Sequence, residues 1–242
     1  MGQILICLKC ITNLHAGNGD VNYSIVDNEV ERDAVTNYPM VNSSGVKGAL
    51  REYFQTAAPD LIGEIFGSDE PGHTTPGKLR FLSAEMLGLA ARASRGETAF
   101  GLVTTEGAVS RFNQMQSLFL GINHVMQRVA AQGVEIEGFS PTEKLMCEFG
   151  ELYLLPEEVF RRISLPVLAR NCLENGRSTN LWYEEVVPHE SLFFFPVLAA
   201  NGDATLLRAF AQQVDGKIIQ FGGNASIGYG LCKATVMEAA HG

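Results

Sequence analysis

No apolar stretch in this 242-residue chain approaches the roughly 18 residues a membrane-crossing helix needs, so no spanning segment is expected. Residues Met1 to Leu14 are apolar, but they enclose Lys9 and lead to no small-residue cleavage site. They read as a first strand and not as a signal peptide. Met1-Gly2 opens like a myristoylation site, yet Ile6 stands where Ser or Thr is needed. Cysteine is scarce and odd in number: Cys7, Cys10, Cys147, Cys172 and Cys232. Cys7 and Cys10 form one C-x-x-C with no second pair at matching spacing, which argues against a zinc site. Strand residues three apart face opposite sides, so the two read as small buried hydrophobes. Reduced thiols in a cytoplasmic protein are the expectation. Positive charge is also short. Eighteen Lys and Arg face 27 Asp and Glu, a net charge of −9, which argues against a generic polyanion binder.

What is present supports a folded domain. The chain is 46% hydrophobic and 19% charged, enough to bury a core, and its length favours a single domain over residues 1–242 with insertions. The cations are unevenly placed: Arg161, Arg162, Arg170 and Arg177 crowd one stretch against Glu174 alone. Arginine is the side chain that forks onto phosphate. Strands are expected at Gln3–Thr12, Lys78–Leu87, Thr98–Thr105, Leu145–Leu155, Lys217–Phe221 and Leu231–Glu238. A hairpin is expected from Asn180–Val187 and Ser191–Ala199, turning at Pro188-His189. Helices are expected after Asn42-Ser43-Ser44, from Pro59, over about Glu106–Ala131 and over Asp203–Gln213, the last capped by Asp203. Gly17-Asn18-Gly19-Asp20 is a turn signal, and Val21–Met40 is polar and extended. The interleaving lacks a regular βαβ repeat, so the class is α+β, an antiparallel sheet backed by helices.

Several motifs carry chemistry. Lys47 and Arg51 lie four residues apart on the first helix, beside Gly45 and Gly48 and just after Ser44. A helix N-terminus with open backbone and two cations suits phosphate, and the spacing equally suits a solvated basic stripe. The segment Phe221–Gly230 holds Gly222, Gly223, Gly228 and Gly230 but is neither a Rossmann fingerprint nor a P-loop. It is a place where backbone passes close to a ligand or to another strand. Asp27, Glu29, Glu31 and Asp33 alternate along an extended segment, able to gather a divalent cation or to line a solvated edge. His15 closes the first strand, a position that suits a structural histidine as well as a catalyst. Trp182, Tyr183 and Phe193-Phe194-Phe195 offer rings for base stacking or, for the Phe run, for a core.

The order of these pieces resembles the RAMP superfamily. The resemblance rests on Leu14–Gly19, Ile25–Asp33, Tyr38–Arg51 and the glycine loop Gly222–Gly230. Leu79–Glu85 leading to Val103–Thr105, together with Leu181–Pro188, narrows it to the backbone subunit of the Cmr, or type III-B, CRISPR effector complex. The resemblance implies a modified ferredoxin-like (RRM-like) domain with a protruding thumb hairpin. Copies would stack in a filament along a guide RNA with other complex subunits, and target RNA would be cut at regular intervals. It implies Asp27 as the catalytic carboxylate and ligand of a divalent metal, Mg2+, with His15 in the same loop region. It implies Lys47, Arg51, Ser44, Gly45, Gly222, Gly223, Gly228 and Gly230 on RNA, and a thumb within residues 180–199 carrying Trp182, Tyr183, Glu184 and Glu185. Two other readings stay open: a structural backbone subunit without catalysis, and a stand-alone RAMP endoribonuclease that processes precursor guide RNA.

Overall fold

A computed structural model describes residues 2–19, 26–70, 73–123, 125–174 and 177–238. Asp20 and Ile25, and with them the first part of the Val21–Met40 stretch, lie outside the described residues. One large sheet organises the molecule. From edge to edge it runs Ile218–Gln220, Leu231–Met237, Gln3–Cys10, Leu192–Ala199, Ala84–Arg92, Phe100–Thr104, Gly150–Leu154, Glu143–Cys147 and Gln127–Ala130. The α+β expectation holds. The sheet is not purely antiparallel, however, because Tyr153–Leu154 runs parallel to Val103–Thr104.

Side-chain alternation explains why the central strands are apolar throughout. Along Gln3–Cys10, Ile4, Ile6, Leu8 and Cys10 face one core while Leu5 and Cys7 face another. Cys7 and Cys10 thus fall on opposite faces as strand geometry requires, and all five cysteines are free. The helices Ser43–Ala57 and Ala204–Val214 cover the first face with Val46, Leu50 and Phe54, and with Leu206, Leu207, Phe210 and Val214. The helix Glu106–Leu120 covers the second with Val109, Phe112 and Met115. Phe54 stacks on Phe210 at 5.5 Å and meets Phe66 edge-on at 5.4 Å. Truncating such a ring to Ala typically costs about 3–5 kcal/mol.

Local signals set the helix ends. The first helix ends at Ala58, which precedes Pro59 and is extended at φ −157°. Glu106–Leu120 starts at Thr105, whose hydroxyl accepts the Ala108 amide, and stops at Gly121 with φ 67°. It is therefore shorter than the expected span to Ala131, and the end of that span, Gln127–Ala130, is an edge strand. Asp203 caps Ala204–Val214 by accepting the Thr205 and Leu206 amides, as expected. Leu145–Leu155, expected as one strand, is a hairpin of Glu143–Cys147 and Gly150–Leu154.

The expected hairpin of 180–199 is not formed. Arg177–Glu185 pairs instead with Val167–Glu174, while Leu192–Ala199 lies between Gln3–Cys10 and Ala84–Arg92 in the sheet. The reason is burial. Phe193 and Phe195 enter one core and Leu192 and Phe194 the other, and a strand covered on both faces reads as an unbroken apolar run. The hairpin Val167–Glu185 forms a separate two-stranded sheet, with Val167 and Leu181 exposed.

Candidate nucleic-acid interface

Three loops meet around a groove of about 570 Å³: Ala16–Gly19, the start of the Ser43–Ala57 helix, and the glycine-rich loop at Gly222-Gly223. Ser44, Gly45 and Gly48 line it from the helix, the Asn42 side chain makes no capping bond, and of the first-turn amides Ser43 donates to the Ser83 hydroxyl at 3.1 Å. A Cβ on Gly48 would meet nothing within 4 Å, so the helix backbone is open there to close approach. Glu31 and Glu52 also line the groove, which keeps its field from being strongly positive.

The two expected phosphate cations are treated differently by the fold. Lys47 is exposed on the helix beside the groove. The Arg51 guanidinium donates to the Gly67 carbonyl at 3.0 Å and so ties the helix to the following turn. The four loop glycines also divide. Gly222 has φ 74°, and a Cβ there would lie 2.3 Å from the His15 carbonyl oxygen. Gly230, at φ 71°, would put a Cβ 1.8 Å from the Phe221 carbonyl oxygen. These two are demanded by the chain's own backbone. Gly228 has open space around it but a left-handed backbone at φ 83°, so glycine is favoured there too; Gly223 has room for a Cβ, and its amide donates to the His15 carbonyl at 2.8 Å.

Behind the groove, the base of the Val167–Glu185 hairpin holds a closed polar network. Glu184 is 3% exposed and Glu185 9%, so neither sits at a protruding tip as the thumb reading of these residues required. Their place at the base follows from partners far away in sequence. Asn224 Nδ2 donates to both Glu184 oxygens at 2.9 and 2.8 Å, and Arg170 Nη1 donates to Oε2 at 3.3 Å. His15 is buried; its Nδ1 donates to the Glu185 carbonyl at 2.7 Å while Nε2 lies 3.7 Å from Glu184 Oε1. Glu185 accepts from Arg32 Nη2 at 2.6 Å and from the Val30 amide at 3.1 Å. The Arg170 guanidinium lies over the rings of Trp182 and Tyr229, 5.7 and 5.4 Å from their centroids.

Asp27 is attached to the same hairpin. Its Oδ2 accepts the Tyr183 amide at 2.7 Å, and its own amide donates to the Tyr183 carbonyl at 3.0 Å. The Asn28 amide donates to that carbonyl too, and Glu185 returns a bond to the Asn28 carbonyl. Asp27 and His15 thus rest on the same short hairpin run, Asp27 on Tyr183 and His15 on Glu185. The other acidic side chains are not gathered with Asp27. Glu31 lines the groove, and Asp33 accepts from the Thr36 and Val35 amides, bonds that, with the Thr36 hydroxyl, hold its carboxyl below the ordinary value. Among the described residues no three His, Cys, Asp or Glu are placed to hold a metal ion.

Arg170, Asn224 and Tyr229 complete the network and were not singled out by sequence. Arg170 was visible only as one of a basic cluster, whose Arg161 and Arg162 are exposed on a different turn. Asn224 carried a subtler signal, a non-glycine inside a glycine loop, and it adopts the left-handed conformation at φ 62°.

An α+β sheet with a loop-built groove and an outlying hairpin defines a class that the family comparison makes specific. The RAMP superfamily model matches residues 7–233, and the chain belongs to that superfamily. It is 24% identical to a protein of Pyrococcus furiosus named CRISPR system Cmr endoribonuclease Cmr4, over all of this chain and 98% of that one. Among solved structures, it is similar to a chain of the type III-B Cmr-beta complex bound to cognate target RNA, with a TM-score of 0.78, 17% identity, and 98% and 97% of the two chains covered. It is also similar to oligomeric Cmr4 from Pyrococcus furiosus, with a TM-score of 0.69, 21% identity, and 98% and 99% covered.

Proposed function

We propose that this chain is a guide-RNA-binding backbone subunit of a type III-B CRISPR effector and that it cleaves the target RNA paired with its guide. The observation that carries the reading is Asp27, a partly exposed loop carboxylate whose place is set by two backbone hydrogen bonds to Tyr183. Among the described residues nothing else bonds this carboxylate. The likeness over full length to a named Cmr endoribonuclease supports it. Copies of the chain would stack along the guide in the cytoplasm beside other subunits of the complex. The domain reads as modified ferredoxin-like: the strands Leu231–Met237, Gln3–Cys10, Leu192–Ala199 and Ala84–Arg92 lie in that order, with the two helices Ser43–Ala57 and Ala204–Val214 on one face. The thumb in this reading is the hairpin Val167–Glu185.

The chemistry asks little of the protein. The 2′-hydroxyl of the target attacks the adjacent phosphorus in line and expels the 5′-oxygen, leaving a 2′,3′-cyclic phosphate and a 5′-hydroxyl that takes a proton from water. Asp27 accepts the 2′-hydroxyl proton. The guide backbone lies along the open glycines and the helix N-terminus, with Lys47 facing phosphate. Mg2+ would enter this reading with RNA phosphate oxygens as most of its ligands, since among the described residues no cluster of His, Cys, Asp or Glu joins Asp27.

The test is reconstitution with a guide and a complementary target. Regularly spaced products are expected from wild type, with intact target and unchanged guide binding for Asp27→Ala. Cleavage at the wild-type rate by Asp27→Ala would refute the catalytic assignment. Wild-type protein that binds guide and never cuts would favour a purely structural subunit.

A further inference from the structure

We infer that Glu184 is a positioning residue for Asp27, acting through a buried junction that fastens the hairpin base to the glycine-rich loop; this rests on the reading of Asp27 above. The argument starts from the hairpin's isolation. Val167–Glu174 and Arg177–Glu185 pair only with each other as strands, so the large sheet does not set their position. Its base is held by the Leu14–Val187 backbone pair, by the Glu185 bonds to Arg32, Val30 and His15, and by the short run Tyr183–Glu185, on which Asp27 and Asn28 are hung. Tyr183 gives its amide to the Asp27 carboxylate and its carbonyl to the Asp27 and Asn28 amides, and Asn28 bridges Glu184.

Glu184 fastens that run to the groove. Its carboxylate takes both bonds of Asn224, one of Arg170, and faces His15 Nε2, so three separate parts of the chain converge on one side chain. Asn224 follows Gly222-Gly223, which line the groove, and the Gly223 amide is bonded to the His15 carbonyl. An apolar side chain would fill the space. A buried carboxylate with this many donors instead fixes direction, because each bond is lost by a small rotation. Releasing Glu184 therefore removes the tie between the Tyr183 run and the glycine-rich loop and loosens Asp27 relative to the groove floor, while the Glu185 bonds still hold the far end of the run.

Asn224→Gly isolates the junction. Glycine keeps the left-handed backbone without strain and removes only the two bonds to Glu184. Two readouts are needed. Hydrogen exchange of the Tyr183 amide, measured on the RNA-free chain, should quicken about tenfold, because that amide is the one Asp27 accepts. Single-turnover cleavage of a bound target should slow about tenfold at saturating target, while guide affinity stays within about twofold. Glu184→Gln, which keeps a carbonyl acceptor for Asn224, should retain most of the rate, and Glu184→Gln combined with Asn224→Gly should lose no more than Asn224→Gly alone. Unchanged exchange at Tyr183 in Asn224→Gly overturns the inference, as does a slowed cleavage without faster exchange. If Asp27→Ala itself cleaves normally, the catalytic assignment fails, and the exchange measurement still decides whether Glu184 sets the position of Asp27.

Discussion

The groove and the hairpin base share their loops and are built in opposite ways. On the groove side, Gly45, Gly48 and Gly223 lack side chains, Lys47 is exposed, and the Asn42 side chain makes no capping bond at the helix N-terminus. A few residues away, Glu184, Glu185 and His15 are buried, bonded to one another and to partners on three other segments. Polar groups left to solvent are the ones a ligand can take over, at small cost to the protein. Polar groups satisfied internally are expensive to disturb and so carry geometry. In the proposed reading the open groove is where RNA would lie, and the buried network is what would aim Asp27. Two of the acidic side chains near the site, Glu184 and Glu185, are occupied in holding the protein together.

The sharpest test of this division is Asp27→Asn. The amide keeps an acceptor for Tyr183 and loses the base, so cleavage in a single-turnover assay should fall by about 10²–10⁴ with guide affinity unchanged. Next in size is Glu185→Ala, which strands the Val30 amide and Arg32. Urea unfolding should show a loss of about 2 kcal/mol, and adding Arg32→Ala should cost little more, since one interaction is removed twice. On the open side, Lys47→Ala should weaken RNA binding about equally for any guide sequence and lower the slope of log affinity against log salt by about one. Arg51→Ala should change that slope less, because its guanidinium is already committed to Gly67. The smallest effect is the most discriminating. Gly48→Ala puts a methyl where nothing stands within 4 Å, so the free chain should gain about 0.5–1 kcal/mol in thermal unfolding. The same methyl intrudes on the groove, so RNA binding should weaken in a filter or gel-shift assay.

Legibility followed range. The first helix was readable from Asn42-Ser43-Ser44 and the spacing of Val46, Leu50 and Phe54, and the last from Asp203, because caps and periodicity are local. The turn at Glu148-Phe149 was missed because Leu145–Leu155 carries no Pro or Asn-Gly signal, only Gly150. The hairpin was mispaired because Pro188-His189 looked like a turn between two strand-like runs, whereas the strand partner of Arg177–Glu185 precedes it in sequence. The order of the motifs led correctly to the superfamily, even though the roles of individual residues within them could not be separated.

The sequence by itself determined which faces are apolar, where helices start and stop, that Cys7 and Cys10 part company across the first strand, and that open glycines would gather near the helix N-terminus. All of this is written in neighbours a few residues apart. Only the tertiary structure decided that Gly222 and Gly230 serve the backbone while Gly48 faces open space, that Arg51 is spent on Gly67, and that Glu184 and Glu185 are buried anchors. Those outcomes depend on bonds between Asp27 and Tyr183, His15 and Glu185, and Asn224 and Glu184, separated by 156, 170 and 40 residues. No local periodicity encodes such pairs, because they are selected when a buried charge must find its donors and only the closed fold brings those donors within reach.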